Sequence, residues 1–423
     1  MLSGMQDHDG PLTRLRRSNE QFVLGLLRKH GPQSRAELGT RSGLSRTTLY
    51  EIVADLTESG AVVASTPHVA VRKRGRPVEK LSLNPTAGGA VGIDFARRAV
   101  HVAVANLAHE VIGSASESHG ADLSWPERVD VAWRLLDSLT DPESAAADGA
   151  APAAAPVRLG ALGAIGVGVV GPLTDPGSTN AHARDIDGLQ DLLRKRHQVP
   201  VLLDNNTRLA ALAETVWGAA SDSSDVLYLR LSHGVGGGLV VGGALHRGGH
   251  GLSAEFGHIV VDPSGTRCEC GGTGCLETVA SLDAVLRRYR QAGGRAADIA
   301  GFLRAVEEDD ALALEVLDAV GSEIGAVLAG ACQTVGPGAV VLGGELAQAG
   351  ARLLEPVERV LHQRLMPMAR HHVDVRRATL GDAVSALGGI ALALHESPLL
   401  SHYPQPTDAE DTPVTPPARN PWQ

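Results

Sequence analysis

The chain has 423 residues, 43% of them hydrophobic and 20% charged, the balance of a globular protein with a sizeable core and room for two or three domains. No apolar run is long enough to span a bilayer and no signal segment is visible, so a cytoplasmic location is the expectation. The net charge of −10 is unevenly spread: residues 1–85 hold 13 Lys/Arg against 8 Asp/Glu, leaving 25 against 40 in the remainder. A basic head on an acidic body confines any contact with nucleic acid to the head.

The head reads as three helices and a hairpin. Phe22, Val23, Leu26 and Leu27 give residues 18–29 a helical face that stops at Gly31-Pro32. Ser34-Arg-Ala-Glu37 has the form of a capping box and opens a short helix through Arg41. Gly43 supplies a turn, and Ser45 caps a third helix whose buried stripe is Leu49, Ile52, Val53 and Leu56. Residues 61–64 and 80–83 are strand candidates around a basic tip at 72–77. This is the layout of a winged helix-turn-helix, here over residues 1–85. Such a head places the N-terminal part of its third helix in the major groove, which here means Ser45, Arg46, Thr47, Thr48 and Tyr50. Arg46 has the geometry for guanine and the threonines for thymine methyls or phosphates. Arg35 is placed for a phosphate, and Arg72, Lys73, Arg74 and Arg76 of the wing for a minor groove.

A different pattern runs over residues 86–400. Residues 91–95 and 100–107 read as a hairpin, 141–156 as an Ala/Pro-rich insertion, and 163–170 and 199–203 as strands. A helix is expected over 207–217, then strands over 226–231 and 238–241 flanking a Gly-rich turn. A late helix over 312–332 precedes a strand at 339–342 and Gly343-Gly344. Strands alternating with helices argue an α/β architecture. Residues 401–423 have the composition of a disordered tail.

Three of the four cysteines crowd together. His258 is followed after nine residues by Cys268, Cys270 and Cys275. Three thiolates and one imidazole form a tetrahedral zinc set, and four protein ligands make such a site structural. Cys332, on an apolar helix, reads as a small buried hydrophobe.

These motifs resemble the ROK family (repressors, open reading frames and kinases). The likeness rests on Glu255-Phe-Gly-His258 through Cys268–Cys275-Leu-Glu277 and, for the repressor branch, on Arg17-Ser-Asn19, residues 34–38, Gly43-Leu-Ser45 and Gly75-Arg-Pro77. The resemblance implies an α/β fold in which the winged helix-turn-helix is followed by a two-lobed, actin-like ATPase (ribonuclease H-like) domain, with the zinc loop at about 255–277 and dimeric or tetrameric assembly. It implies sugar contacts from residues matching Glu255, His258 and Glu277, with His258 serving both zinc and sugar.

Two departures argue against phosphotransfer. Family kinases carry an Asp-x-Gly-Gly-Thr-like phosphate loop where this chain reads Asp94-Phe-Ala-Arg-Arg98, and bulky Phe95 is expected to obstruct a phosphate. The family's Asn-Asp-x-Asn motif, aligned on residues 210–214, puts Asn206 at the position of the base, and an amide cannot take a proton. A slipped alignment would put Asp204 there instead. Asn205 stays available to a sugar, Gly234–Gly238 resembles a second phosphate loop, and residues 180–185 depart from the family pattern. The expected function is a DNA-binding regulator, a repressor of carbohydrate-related genes, that recognises a double-stranded operator and binds a sugar without phosphorylating it. The alternative is an active sugar kinase with a regulatory head.

Overall fold

In the computed structural model the described residues are 19–20, 22–27, 30–58, 61–65, 79–84, 88–106, 109–120, 123–140, 162–171, 173, 186 and 188–396. The expected wing tip at Arg72, Lys73, Arg74 and Arg76, the insertion at 141–156, residues 180–185 and the tail at 401–423 lie outside them.

The head follows its local signals closely. Residues 22–27 are helical (α1), and α2 spans Arg35–Ser42. The Ser34 hydroxyl accepts from the Glu37 amide while the Glu37 carboxylate accepts from the Ser34 amide, so two otherwise unpaired N–H groups are satisfied reciprocally. Gly43 closes α2 at φ +66°, a conformation that suits glycine. The helix α3 spans Arg46–Glu58 and buries the expected stripe of Leu49, Ile52, Val53 and Leu56. Strands β1 (Val62–Ser65) and β2 (Lys80–Leu83) pair antiparallel, and Gln33 bridges to Leu81, tying the hairpin to the turn before α2.

The body contains two five-stranded sheets with one shared topology. In the first, β3 (Gly89–Phe95), β4 (Ala99–Asn106) and β5 (Val111–Ser118) run antiparallel, and β6 (Leu162–Val169) and β7 (Val201–Asn205) add in parallel on the other side of β3. The order is β5-β4-β3-β6-β7, with α4 (Trp125–Thr140) and α5 (Leu189–Arg194) in the crossovers. The second sheet repeats it as β10-β9-β8-β11-β12, from β8 (Val226–Leu231), β9 (Val235–Val241), β10 (Ala244–Leu245), β11 (Ala339–Gly343) and β12 (Asp374–Arg377). Two lobes of one topology match the expected two-lobed α/β fold. The long insertion between β10 and β11 holds the cysteine loop and α7 (Glu277–Ala280), α8 (Leu282–Gln291), α9 (Ile299–Glu307) and α10 (Ala311–Val335); α11 (Ala351–Arg364) follows β11.

The helix that ends each lobe packs on the sheet of the other. After β7, α6 (Asn206–Val216) lies mainly against β8 and β9, whereas α12 (Val384–Glu396) lies against β3 and β6 and crosses α6. Glycines permit the close approach: a Cβ on Gly166 would sit 1.8 Å from the Gly389 carbonyl oxygen, and one on Gly92 would sit 1.8 Å from that of Ala386. Both obstacles are backbone, so the helix itself would have to move.

Gly166→Ala is therefore expected to cost about 3 kcal/mol or more of stability. Gly330→Ala on α10, where an added Cβ meets nothing within 4 Å, is expected to be neutral or stabilising by up to about 1 kcal/mol. Urea unfolding followed by circular dichroism compares the two; equal midpoints would refute the account of the crossing.

Candidate functional site

In the head, Ser45, Arg46, Thr47 and Tyr50 form an exposed face at the start of α3, with Thr48 half-buried beneath. The Ser45 hydroxyl accepts from the Thr48 amide at 3.1 Å, which caps the helix and orients this face. Arg35 sits at the start of α2 and forms an ion pair with Glu79, the residue before β2.

In the body, loop geometry brings the four expected metal ligands together. The chain leaves β10, passes Ala254 at φ +65° and enters a single helical turn at Phe256–His258. It then folds back through tight turns so that Cys268 and Cys275 are buried and Cys270 is exposed. The ligand atoms of His258, Cys268, Cys270 and Cys275 all lie within 4.8 Å of one another. Cys268 Sγ stands 3.6 Å from His258 Nδ1, and Cys270 Sγ stands 3.7 Å from Cys275 Sγ. These separations are far too long for a disulfide. A tetrahedral zinc with sulfur at about 2.3 Å and nitrogen at about 2.0–2.1 Å has edges of roughly 3.8 Å between sulfurs and 3.6 Å between sulfur and nitrogen. The side chains therefore fit such an ion, with His258 turning Nδ1 toward it. Cys332 is buried on α10, away from the cluster, as expected.

Glu277 joins this loop to the second lobe. One carboxylate oxygen accepts from the Val235 amide at 2.9 Å, and the other lies 3.8 Å from Cys268 Sγ. Glu255 is half-buried; burial raises its pKa, while His258 and Arg208 lower it and Glu277 adds to the rise. Glu255, His258 and Glu277 thus share one electrostatic neighbourhood.

The floor of the first lobe is a network of polar contacts around Asp94, Asp204, Asn205 and Asn206. Asn205 caps α6 by accepting from the amides of Thr207 and Arg208, and its own amide donates to the Gly171 carbonyl. Asn206 donates to Asp94 Oδ1 at 3.3 Å. Asp204 accepts from Arg208 Nε at 2.7 Å and Arg247 Nε at 2.5 Å while only 1% exposed, and Arg208 also donates to the Gly251 carbonyl. Both oxygens of the Asp204 carboxylate are thus engaged by guanidinium groups, one from α6 and one from the loop after β10. Arg208 and Arg247 had no role in the sequence reading. Arg208 was detectable as the i+4 partner of Asp204 on a helix, but Arg247 meets that carboxylate only through the fold.

Two expectations need correction. Phe95 does not stand in the path of a phosphate: it is buried in the first-lobe core, edge-on to Trp125 at 5.5 Å, because strand alternation turns it away from the face bearing Asp94. The Gly-rich segment is not a turn. Val235–Val241 is a strand, the turn lies before it, and Gly238 is needed because a Cβ there would meet the Ala211 side chain at 2.5 Å.

The ROK family profile matches residues 150–396. Over 95% of its length the chain is 28% identical to 99% of the N-acetylglucosamine repressor of Escherichia coli O157:H7. Among solved structures, a ROK family transcriptional regulator described as a homologue of the E. coli MLC protein superposes with a TM-score of 0.74, covering 92% of this chain and 97% of its own at 24% identity. A ROK family glucokinase from Streptomyces griseus, solved with glucose and AMPPNP, superposes with a TM-score of 0.55 at 27% identity, covering 72% of this chain and 99% of its own.

Asp94 supplies a pH signature of the floor. Burial raises its pKa, against the pull of Arg230, His101 and the Asn206 hydrogen bond, and Oδ2 has no partner among the described residues. A carboxyl whose folded pKa is raised contributes fully below its unfolded value near 4 and loses that contribution as pH rises through the folded pKa. Asp94→Asn is therefore expected to be more stable than the parent at pH 7.5, with the difference shrinking toward pH 4.5. Thermal melts of both proteins across that range measure it, and a constant difference would refute the assignment.

Proposed function

The chain belongs to the ROK family, and from that premise we propose that it is a DNA-binding transcriptional repressor whose kinase-like body binds a sugar or sugar derivative without phosphorylating it. The observation that carries this reading is Asn206, which stands at the N-terminus of α6 with its amide donated to Asp94. An amide so placed holds the floor of the cleft together and is far too weak a base to deprotonate a hydroxyl. The exposed polar face of α3 supports the DNA-binding half, as does similarity to a repressor over head and body together.

In this reading residues 1–85 form the DNA-binding domain and 86–400 the sensor. Arg46, Thr47, Thr48 and Tyr50 face base edges from α3. Glu255, His258, Glu277, Asn205 and Asn206 meet the sugar hydroxyls, because carboxylates, an imidazole and amides both accept and donate across vicinal hydroxyl groups. His258, Cys268, Cys270 and Cys275 would hold a structural zinc, whose charge favours the thiolate forms that burial of Cys268 and Cys275 opposes. The ion fixes the loop carrying Glu255, His258 and Glu277, so metal and ligand are coupled. Ligand closure of the lobes would shift paired heads on an operator, provided the ligand favours one arrangement over the other. Among the described residues no helix is long and apolar enough to cross a membrane.

Three measurements test these claims. Genomic binding-site mapping with the purified chain is expected to recover discrete palindromic sites, and recovery at background level would sink the regulator reading. A coupled ATP assay over hexoses and pentoses is expected to show no turnover; turnover abolished by Asn206→Ala would establish the kinase alternative. Chelation at neutral pH is expected to release one zinc per chain, lower the melting temperature by several degrees and abolish sugar-dependent stabilisation. A metal-free preparation with unchanged melting and sugar response would exclude the zinc.

A further inference from the structure

Tyr50 is half exposed on the polar face of α3 and is the only aromatic side chain among the described residues that is both large and exposed. Two guanidinium groups lie over its ring, Arg35 at 5.5 Å and Arg46 at 5.8 Å from the centroid. Their situations differ. Arg35 is committed to Glu79 by an ion pair, and its Nε is buried without a hydrogen-bond partner. Arg46 is exposed, and no carboxylate or carbonyl among the described residues engages it, so its hydrogen-bonding edge faces solvent with only the ring to orient it.

Resting on the DNA-binding reading above, we propose that Tyr50 is a specificity-determining residue. Its ring orders Arg46 for bidentate recognition of one guanine, while Arg35 and Glu79 brace the ring and do not contact phosphate. An arginine side chain free in solvent loses much rotamer freedom on docking to a base edge. Stacking on a fixed aromatic face restricts the guanidinium plane beforehand, and a plane is what the two acceptors of guanine require. Tyr50 lies one helical turn beyond Arg46, so both side chains project from the same face of α3. The Arg35–Glu79 pair links the start of α2 to the residue leading into β2, and Arg35 is the member of that pair that lies over the ring.

The two roles open to Arg35 differ in their salt dependence. A phosphate contact contributes about one unit to the slope of log affinity against log salt and acts alike on all sequences, whereas a brace acts on one base position and leaves the slope unchanged. The full chain is first used to select binding sites from a random-sequence duplex library. The selected duplex and its single base-pair substitutions are then titrated by anisotropy at several salt concentrations. Arg46→Ala is expected to erase discrimination at one G·C pair. Tyr50→Leu and Arg35→Ala are expected to reduce discrimination at that same pair by about three- to tenfold without changing the salt slope. Tyr50→Phe, which keeps the ring, is expected to retain it, and unchanged melting of each variant verifies the fold. Selection of no sequence by the parent chain would defeat the DNA-binding reading itself. A selected motif that Tyr50→Leu reads as well as the parent, or a uniform loss with a slope lower by about one for Arg35→Ala, would overturn this proposal alone.

Discussion

The crossing of α6 and α12 is the contact on which the body depends. Each helix belongs by sequence to one lobe and packs on the sheet of the other, so the crossing ties the two sheets together. Helices normally pack with axes 8–10 Å apart, and side chains set that distance. Here a Cβ on Gly388 would lie 1.9 Å from the Leu209 carbonyl oxygen, which places backbone nearly against backbone. Glu214, fully buried on α6, accepts from the amides of Thr379 and Leu380 before α12 and from that of Ala219 after α6. One carboxylate thereby satisfies three backbone donors, which a hydrophobic side chain could not do.

The site inherits its geometry from that crossing. The N-terminus of α6 carries Asn206 and Arg208, and its start is fixed by the Asn205 cap and by the packing of Ala211 on Gly238. Arg208 in turn holds Asp204 and the Gly251 carbonyl, so the loop that leads to Glu255 is tied to the end of β7. Glu277 does the same for the turn before β9. Displacing either helix would move the floor and both ligand-bearing loops together. That makes the site a property of the lobe arrangement more than of any one loop.

Much of this was legible in the sequence, in proportion to how local each cause is. The Ser34–Glu37 capping box, the Gly43 turn and the α3 stripe are decided within a few residues, and all appear as expected. The metal set was legible because its spacing is itself the chemistry. The strands β3, β4, β6, β7, β8 and β11 were recognisable as apolar runs, but β5 was not, since an edge strand reading Val-Ile-Gly-Ser-Ala-Ser-Glu-Ser has little apolar pattern. The duplication of topology was invisible because it resides in strand order. Phe95 was misjudged for a related reason: one residue along a strand reverses the face, and Asp94 and Phe95 point to opposite sides.

The same alternation shows why the floor can persist without a ligand. Asp94 is buried, and an aspartate at position 206 would set two carboxyl groups about 3 Å apart, where both cannot ionise at once. Such a pair needs a proton or a cation to be stable. The amide of Asn206 instead donates a hydrogen bond to Asp94, and the guanidinium groups of Arg208 and Arg247 neutralise Asp204. On this floor Asp204 is neutralised by two guanidinium groups, whereas Asp94 has one oxygen bonded to Asn206 and the other without a partner among the described residues. A receptor has to be stable when empty, because a ligand can only redistribute states that already exist. Asn206 and Arg208 suit that requirement: the amide meets Asp94 with a hydrogen bond where an aspartate would add a second carboxylate, and the guanidinium meets Asp204.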